Sequence, residues 1–219
     1  MAHLVSVNIG APTVQPGSAE VTGIVKTPRT GPVMIDEMGV VGDAVMNKKH
    51  HGGPDQAIYL YLQSDYDWWM VELGTPIEPG TFGENLTIGA VDGATLAIGD
   101  RFAIGDVLIE VTYHRTPCAT FARRMGDPKW VKRFHRARRP GAYARVLQAG
   151  IVEAGMEVDY RPFVGERVTV AELMALDGEP SLPVELLRRV LETPIRLKTR
   201  AKYEAALATI PPPRSFRAS

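Results

Sequence analysis

The sequence predicts a mostly β protein with some helix (α+β): a β-barrel or sandwich domain followed by a small three-helix module. Two observations carry the β part. Short alternating stretches rich in branched residues recur along the first three quarters of the chain, separated by dense glycine and proline punctuation. Gly99-Asp100 and Gly105-Asp106 each introduce a new stretch, as repeated hairpin turns do. A third observation sets the boundary. Near residue 164 the texture changes to short helical segments with recognisable starts and stops.

The strands are expected at Leu4–Ile9, Glu20–Lys26, Pro32–Asp36, Ala57–Leu62, Asn85–Ile88, Thr95–Ile98, Asp100–Ile104, Val107–Tyr113 and Ala142–Leu147. Helix interrupts the series at Ser64–Leu73, where Tyr66, Trp69, Met70 and Leu73 fall at helical spacing and Ser64 suits the cap. A second helical patch starts at Pro117, breaks at Gly126-Asp127-Pro128 and resumes through Trp130–Phe134. Further on, Thr169-Val170-Ala171-Glu172 is a capping box opening a helix through Leu176. Ser181-Leu182-Pro183 starts the next, which ends before Pro194, and Lys198–Leu207 forms the third. The domain boundaries that follow are 1–163, 164–212 and a loose tail at 213–219.

Bulk numbers exclude several classes. With 45% hydrophobic residues in 219, the chain can build a real core. Lysine plus arginine total 25 and aspartate plus glutamate total 25, so overall charge gives no reason to expect a nucleic-acid partner. No apolar run is long enough to span a bilayer, and Met1-Ala2-His3-Leu4-Val5 lacks the layout of a signal peptide. One cysteine precludes an intrachain disulfide, a cysteine cluster for zinc and an iron–sulfur centre. The expectation is a soluble cytoplasmic protein with no membrane contact.

That one cysteine, Cys118, sits in His114-Arg115-Thr116-Pro117-Cys118, directly after a strand. Thr116 suits an N-cap and Pro117 a first helical position, which would place Cys118 in the first turn with Arg115 close by. Both neighbours favour thiolate, the form that nucleophilic attack and soft-metal ligation require. The same pattern also fits a small buried hydrophobe. A second signal is Lys48-Lys49-His50-His51-Gly52-Gly53-Pro54-Asp55. Its glycines let backbone approach a ligand, and its donors would make an anion nest beside His51, with Asp55 available to orient the imidazole. A basic surface turn would read alike.

Lys26-Thr27-Pro28-Arg29 offers two cations fixed by a proline, suited to phosphate or simply solvated. Gly80-Thr81-Phe82-Gly83-Glu84-Asn85 is a tight turn in which Asn85 could hold the loop. The run Lys129–Arg139 carries Lys129, Lys132, Arg133, Arg136, Arg138 and Arg139, and in a chain of zero net charge it reads best as a solvated helix face. Trp68-Trp69 reads as helix-packing core.

Taken in order, Val25-Lys26, Val41-Gly42-Asp43, His51–Ala57, Phe82–Leu86, Ile98-Gly99-Asp100 and Arg115–Cys118 resemble the motifs of MOSC-domain proteins (molybdenum-cofactor sulfurase C-terminal domain). The helical tail is similar to the 3-alpha module of the YiiM-like branch. The resemblance implies a β-barrel-like fold and a molybdopterin-bound molybdenum (molybdenum cofactor) ligated by Cys118. It also implies a cofactor site drawn from Lys26, Arg29, His51, Gly52, Gly53, Asn85 and Arg115. The implied activity is an oxidoreductase's detoxifying reduction of N-hydroxylated bases such as 6-hydroxylaminopurine to amines, with electrons from a separate flavoprotein. Cys118, His51 and Asp55 would be its catalytic residues, His51 supplying a proton and His114 standing second for that role. That branch usually has proline where this chain has His114.

Two other classes share these residues. A carrier would hold the cofactor, or sulfur as a Cys118 persulfide, and act with a pyridoxal-phosphate-dependent desulfurase in trans, while nothing argues that this chain itself binds pyridoxal phosphate. A metal-free enzyme would pair Cys118 with His51 or His114. The helical module and exposed strand edges are also compatible with a homodimer.

Overall fold

A computed structural model of the protein describes residues 1–46, 52–179 and 182–209. The strands among them are β1 (His3–Gly10), β2 (Thr13–Val14), β3 (Val21–Thr22), β4 (Lys26–Pro28), β5 (Val33–Asp36), β6 (Gly39–Val40), β7 (Ile58–Leu62), β8 (Leu86–Gly89), β9 (Arg101–Ile104), β10 (Val107–His114), β11 (Ala142–Gln148), β12 (Gly150–Val152) and β13 (Asp159–Arg161). The helices are α1 (Gln63–Leu73), α2 (Ala119–Arg124), α3 (Trp130–Ala137), α4 (Val170–Ala175), α5 (Val184–Leu191) and α6 (Leu197–Ala208). The tail expected at 213–219 lies outside the described residues.

Eight strands form one sheet in the order β13-β9-β10-β11-β7-β8-β1-β4, antiparallel except for the parallel pair β7–β8. Strands β12-β5-β6 and β2-β3 make two small sheets. The fold is mixed, with strand and helix nearly equal in extent. The barrel does not close. The two ends of the large sheet approach, since Leu4 N–H donates to the Met156 carbonyl at 2.9 Å and Val158 N–H to that of Ala2 at 3.0 Å. That contact stops at an isolated bridge between His3 and Glu157, short of a continuous ladder.

Alternation along the strands separates two cores. On β7, Ile58, Leu60 and Leu62 join an aliphatic cluster with Val107, Ile109 and Val111 of β10. The intervening Tyr59 and Tyr61 enter an aromatic cluster with Trp69 of α1, Phe121 of α2, and Trp130 and Phe134 of α3. A strand buried on both faces shows no polar alternation, which is why β7 reads as continuous hydrophobic sequence.

The C-terminal helices share the aliphatic cluster: Leu173, Leu186, Leu187, Val190 and Tyr203 pack into it. Each such side chain, fully buried, contributes about 1.5–3 kcal/mol. The Thr169 hydroxyl accepts from Glu172 N–H at 3.0 Å, giving the expected cap of α4. The Glu172 carboxylate turns instead to Arg189 of α5, 3.1 Å away.

Three local expectations are corrected. Thr95–Ile98 is not a strand: a 3-10 turn at Gly93–Thr95 leads in, and Asp100 Oδ2 takes the Ala97 N–H at 2.9 Å, leaving one bridge to Thr169. Glu20–Lys26 is split between β3 and β4 at Gly23, where a Cβ would lie 1.7 Å from the Ala44 carbonyl oxygen. Ser64 does not cap α1, because its hydroxyl donates to the Val91 carbonyl at 3.0 Å and accepts from Gly93 N–H at 3.0 Å.

Candidate functional site

The end of β10 delivers the cysteine loop. The β10–β11 register shifts between Val111 and Tyr113, just before the chain leaves the sheet. Helix α2 starts two residues later than the sequence suggests: Cys118 is itself the N-cap, extended at φ −133°, rather than a first-turn residue. Its thiol is half-buried.

Cys118 lines a cavity of about 610 Å³ with Lys26, Asp43, Tyr59, Asn85, Arg115 and Tyr143. That volume lies within the usual range for a small-molecule site. Residues 20–24, which include β3, line it with residues 44–46, and α2 contributes Thr120 and Arg123.

Three of these side chains interlock. The Lys26 ammonium is ion-paired with Asp43 Oδ2. Gly10 N–H donates to Asp43 Oδ1 at 2.8 Å, and Asn85 Nδ2 donates to Oδ2 at 2.9 Å, so the carboxylate is held from both sides. Asn85 also accepts from Tyr59 N–H at 3.1 Å and thereby fixes the loop to β7. Burial lowers the Lys26 pKa from its ordinary value, opposed by the charge and hydrogen bond of Asp43. Tyr59 and Tyr143 are pushed upward by desolvation, against the Arg115 charge, so both phenols stay neutral at physiological pH.

Arg115 is held differently. Its guanidinium is only 4% exposed and lies 4.2 Å from the Phe121 ring centroid and 5.4 Å from that of Tyr59. Among the described residues it makes no ion pair, and Nη1 is buried without a hydrogen-bond partner. Aromatic faces offset part of the cost of burying that cation, but they accept no N–H bond. The arrangement suits an anion.

Lys26, Asn85, Arg115 and Cys118 thus share one cavity, whereas Arg29 does not line it. Lys26 and Arg29 are three apart on extended chain, so they face opposite ways, and Arg29 is exposed. Gly52 and Gly53 also lie off the cavity wall, though Gln56 and Ala57 belong to it. Gly53 adopts φ 98°, ψ 162°, a conformation that needs glycine, and leads into a 3-10 turn at Pro54–Gln56.

The Asp55 carboxylate faces the C-terminal helices. Oδ1 lies 2.9 Å from Arg145 Nη2, and Oδ2 accepts the Leu197 N–H at 2.6 Å, satisfying a donor at the start of α6. His51, with Lys48, Lys49 and His50, lies outside the described residues. His114 is fully buried but lies away from the Cys118 cavity, with Nε2 3.4 Å from Asp177 Oδ1.

Sequence reasoning missed Asp43, Tyr59 and Tyr143 as cavity residues. Asp43 follows Gly42 in a turn, where aspartate has its own local explanation. Both tyrosines lie on strands that read as core.

No group of three or more His, Cys, Asp or Glu side chains able to hold a metal occurs among the described residues. A metal held at Cys118 by the described residues would therefore bring other ligands of its own. The donor set fits such a group: one thiol, one uncompensated guanidinium for a phosphate, and aromatic walls.

The MOSC domain model matches residues 47–159. The chain is 32% identical over 158 residues to the Bacillus subtilis protein YflK, covering 71% of this chain and 72% of that one. It is 34% identical over 145 residues to a Gibberella moniliformis protein named "Reductase", covering 64% of this chain and a 25% share of that longer protein. The crystal structure of YiiM from Geobacillus stearothermophilus superposes with a TM-score of 0.77 at 24% identity, covering 94% of this chain and 100% of that one. The chain belongs to the MOSC domain family, on its YiiM-like branch.

Proposed function

We propose that this protein binds molybdenum cofactor at the Cys118 cavity and reduces N-hydroxylated compounds, 6-hydroxylaminopurine-like bases among them, to amines. The observation that carries this reading is Arg115, a buried guanidinium with no ion-pair partner among the described residues, in the same cavity as the Cys118 thiol. The relative named "Reductase" supports the reaction class.

The balance is R–NHOH + 2e⁻ + 2H⁺ → R–NH₂ + H₂O, in which the N–O bond breaks and the oxygen leaves as water. When bound, the cofactor supplies the electron pair and an acceptor for that oxygen. Cys118 Sγ would ligate the metal, and Arg115 would neutralise the cofactor phosphate. Lys26 Nζ holds a proton inside the cavity, and its lowered pKa makes it a better acid than a surface lysine. Asp43, pinned by Gly10 and Asn85, keeps that ammonium in one place. The walls of Tyr59 and Tyr143 exclude water and present flat apolar faces to a planar base. Electrons come from a separate protein.

The test is molybdenum and pterin per chain, for protein made in a cofactor-producing host, wild type against Cys118→Ser. Near-stoichiometric metal in the wild type, lost in the variant, and amine formation from 6-hydroxylaminopurine are expected. A wild type free of molybdenum and pterin despite cofactor supply overturns the reading. A Cys118 persulfide found by mass in that protein would then identify the carrier.

A further inference from the structure

The basic run Lys129–Arg139 divides into two sets. Arg133 is 3.2 Å from Glu72 and lies over Trp130, while Arg139 is 2.6 Å from Asp65 and lies over Trp68. Those two tie α3 and its end to α1. Lys132, Arg136 and Arg138 are exposed and make no ion pair among the described residues. With His135 they line a second, open cavity of about 650 Å³, whose other walls are Thr116, Pro117, Val131, Asp177 and Gly178.

This groove lies behind the cysteine loop. Thr116 and Pro117 face it, while Arg115 and Cys118 face the first cavity, so a single loop separates the two. Asp177 is the one carboxylate lining it, and its Oδ1 is turned towards the buried His114. The remaining charged groups there are all cationic.

The fold accounts for only part of that charge. His135 and Arg136 lie in the last turn of α3, where cations complement the helix dipole. Lys132 has no such reason. Arg138 has the opposite of one: it sits at φ 52°, a left-handed position that favours glycine or asparagine. A bulky cation kept there at a conformational cost, beside unpaired neighbours, marks a surface shaped for something other than folding.

We infer that this groove is the docking surface for a small acidic electron-carrier protein, placed so that the carrier's redox centre faces Cys118 across one loop. The inference rests on the reductase reading above, which requires electrons from outside a chain whose one cysteine cannot hold a cluster. Cations at an open mouth, without buried donors fixing a ligand, suit a charged protein surface better than a small anion. They steer encounter and set register, as transient redox pairs require.

The probe is an acidic flavodoxin in its reduced form, with cofactor-loaded protein as wild type and as Lys132→Glu/Arg136→Glu. Binding by titration calorimetry at low salt is measured beside two rates of 6-hydroxylaminopurine reduction, one with flavodoxin and one with dithionite-reduced methyl viologen. We expect micromolar binding that weakens steeply with salt, and about tenfold or more weaker binding by the variant. The flavodoxin-driven rate should fall in parallel while the viologen-driven rate stays unchanged. Absent binding by the wild type, or equal binding by the variant, overturns the docking surface. Absence of turnover with viologen in either protein overturns the reductase reading instead, and the calorimetry still decides the surface. Arg138→Gly provides a fold-neutral check: weaker flavodoxin binding with an unchanged or raised melting temperature supports the surface, and unchanged binding counts against it.

Discussion

The two sides of the Arg115–Cys118 loop handle charge in opposite ways. On the Cys118 side, Lys26 and Asp43 are buried and interlocked, and Arg115 is buried against aromatic faces. On the other side, Lys132, Arg136 and Arg138 are exposed, with no carboxylate partner among the described residues. Buried charge is expensive and must be held, and under the proposed function that fixed geometry serves a bound cofactor. Exposed charge costs little and carries little stability, and under the proposed docking it serves encounter with a partner.

The sharpest test of the buried side removes a partner. Asp43→Asn leaves the Lys26 ammonium without its counter-charge at a nearly dry site. The expected loss is about 3–5 kcal/mol near neutral pH by denaturant unfolding. The sign of its pH dependence follows from the lowered Lys26 pKa. Asp43→Asn removes the charge and hydrogen bond that raise the Lys26 pKa against burial, so the variant's folded state gives up the Lys26 proton at a lower pH than the wild type's, and the deficit shrinks as pH rises through that interval. Asp43→Asn/Lys26→Met should recover most of the loss. On the groove side, Lys132→Ala should change stability by less than about 0.5 kcal/mol. Equal effects at the two sites would erase the distinction.

A second prediction concerns the part of the basic run that turns inward. Asp65 is buried beneath Arg139, and its pKa is raised from 3.8 to about 6, because desolvation outweighs the Arg139 hydrogen bond and charge. A raised carboxyl favours the folded state most below its unfolded pKa, and that contribution is lost as pH rises through about 6. Between pH 4 and 7 Asp65 should therefore remove about 2–3 kcal/mol of stability. Comparing wild type with Asp65→Asn at both pH values isolates the effect from the other carboxylates. Parallel pH curves would show that Arg139 compensates the burial in full.

Much of the sheet and the cysteine loop were legible because both have local causes: period-two alternation, turn residues, and a proline before the cysteine. What was not legible depends on partners far away in sequence. Glu72 and Asp65 lie 61 and 74 positions from Arg133 and Arg139, so spacing within the run could not say which cations are tied down. Asp55 finds the start of α6 across 142 positions, and an orienting role for His51 was the nearest local explanation available. Arg29 was grouped with Lys26 by closeness in sequence, although strand geometry sends residues three apart to opposite faces. Strand spacing also left barrel and sandwich open, since it does not say whether the last ladder forms.

Arg138 gives the smallest effect and the most discriminating one, since it separates what helps folding from what the groove retains. At φ 52° an L-residue is strained and glycine is not, while glycine adds freedom to the unfolded chain. The two terms leave a net gain of about 0.5–1 kcal/mol for Arg138→Gly. Arg138→Ala keeps the strain and removes the guanidinium, so it should not gain. If charge is what the position supplies, both variants weaken flavodoxin binding alike while only the glycine variant melts higher. If the left-handed residue serves only to end α3, the glycine variant is more stable and binds as the wild type does. Stability and docking then change independently at one residue, a separation the buried side of the loop does not permit, because Lys26 and Asp43 hold each other and the cavity together.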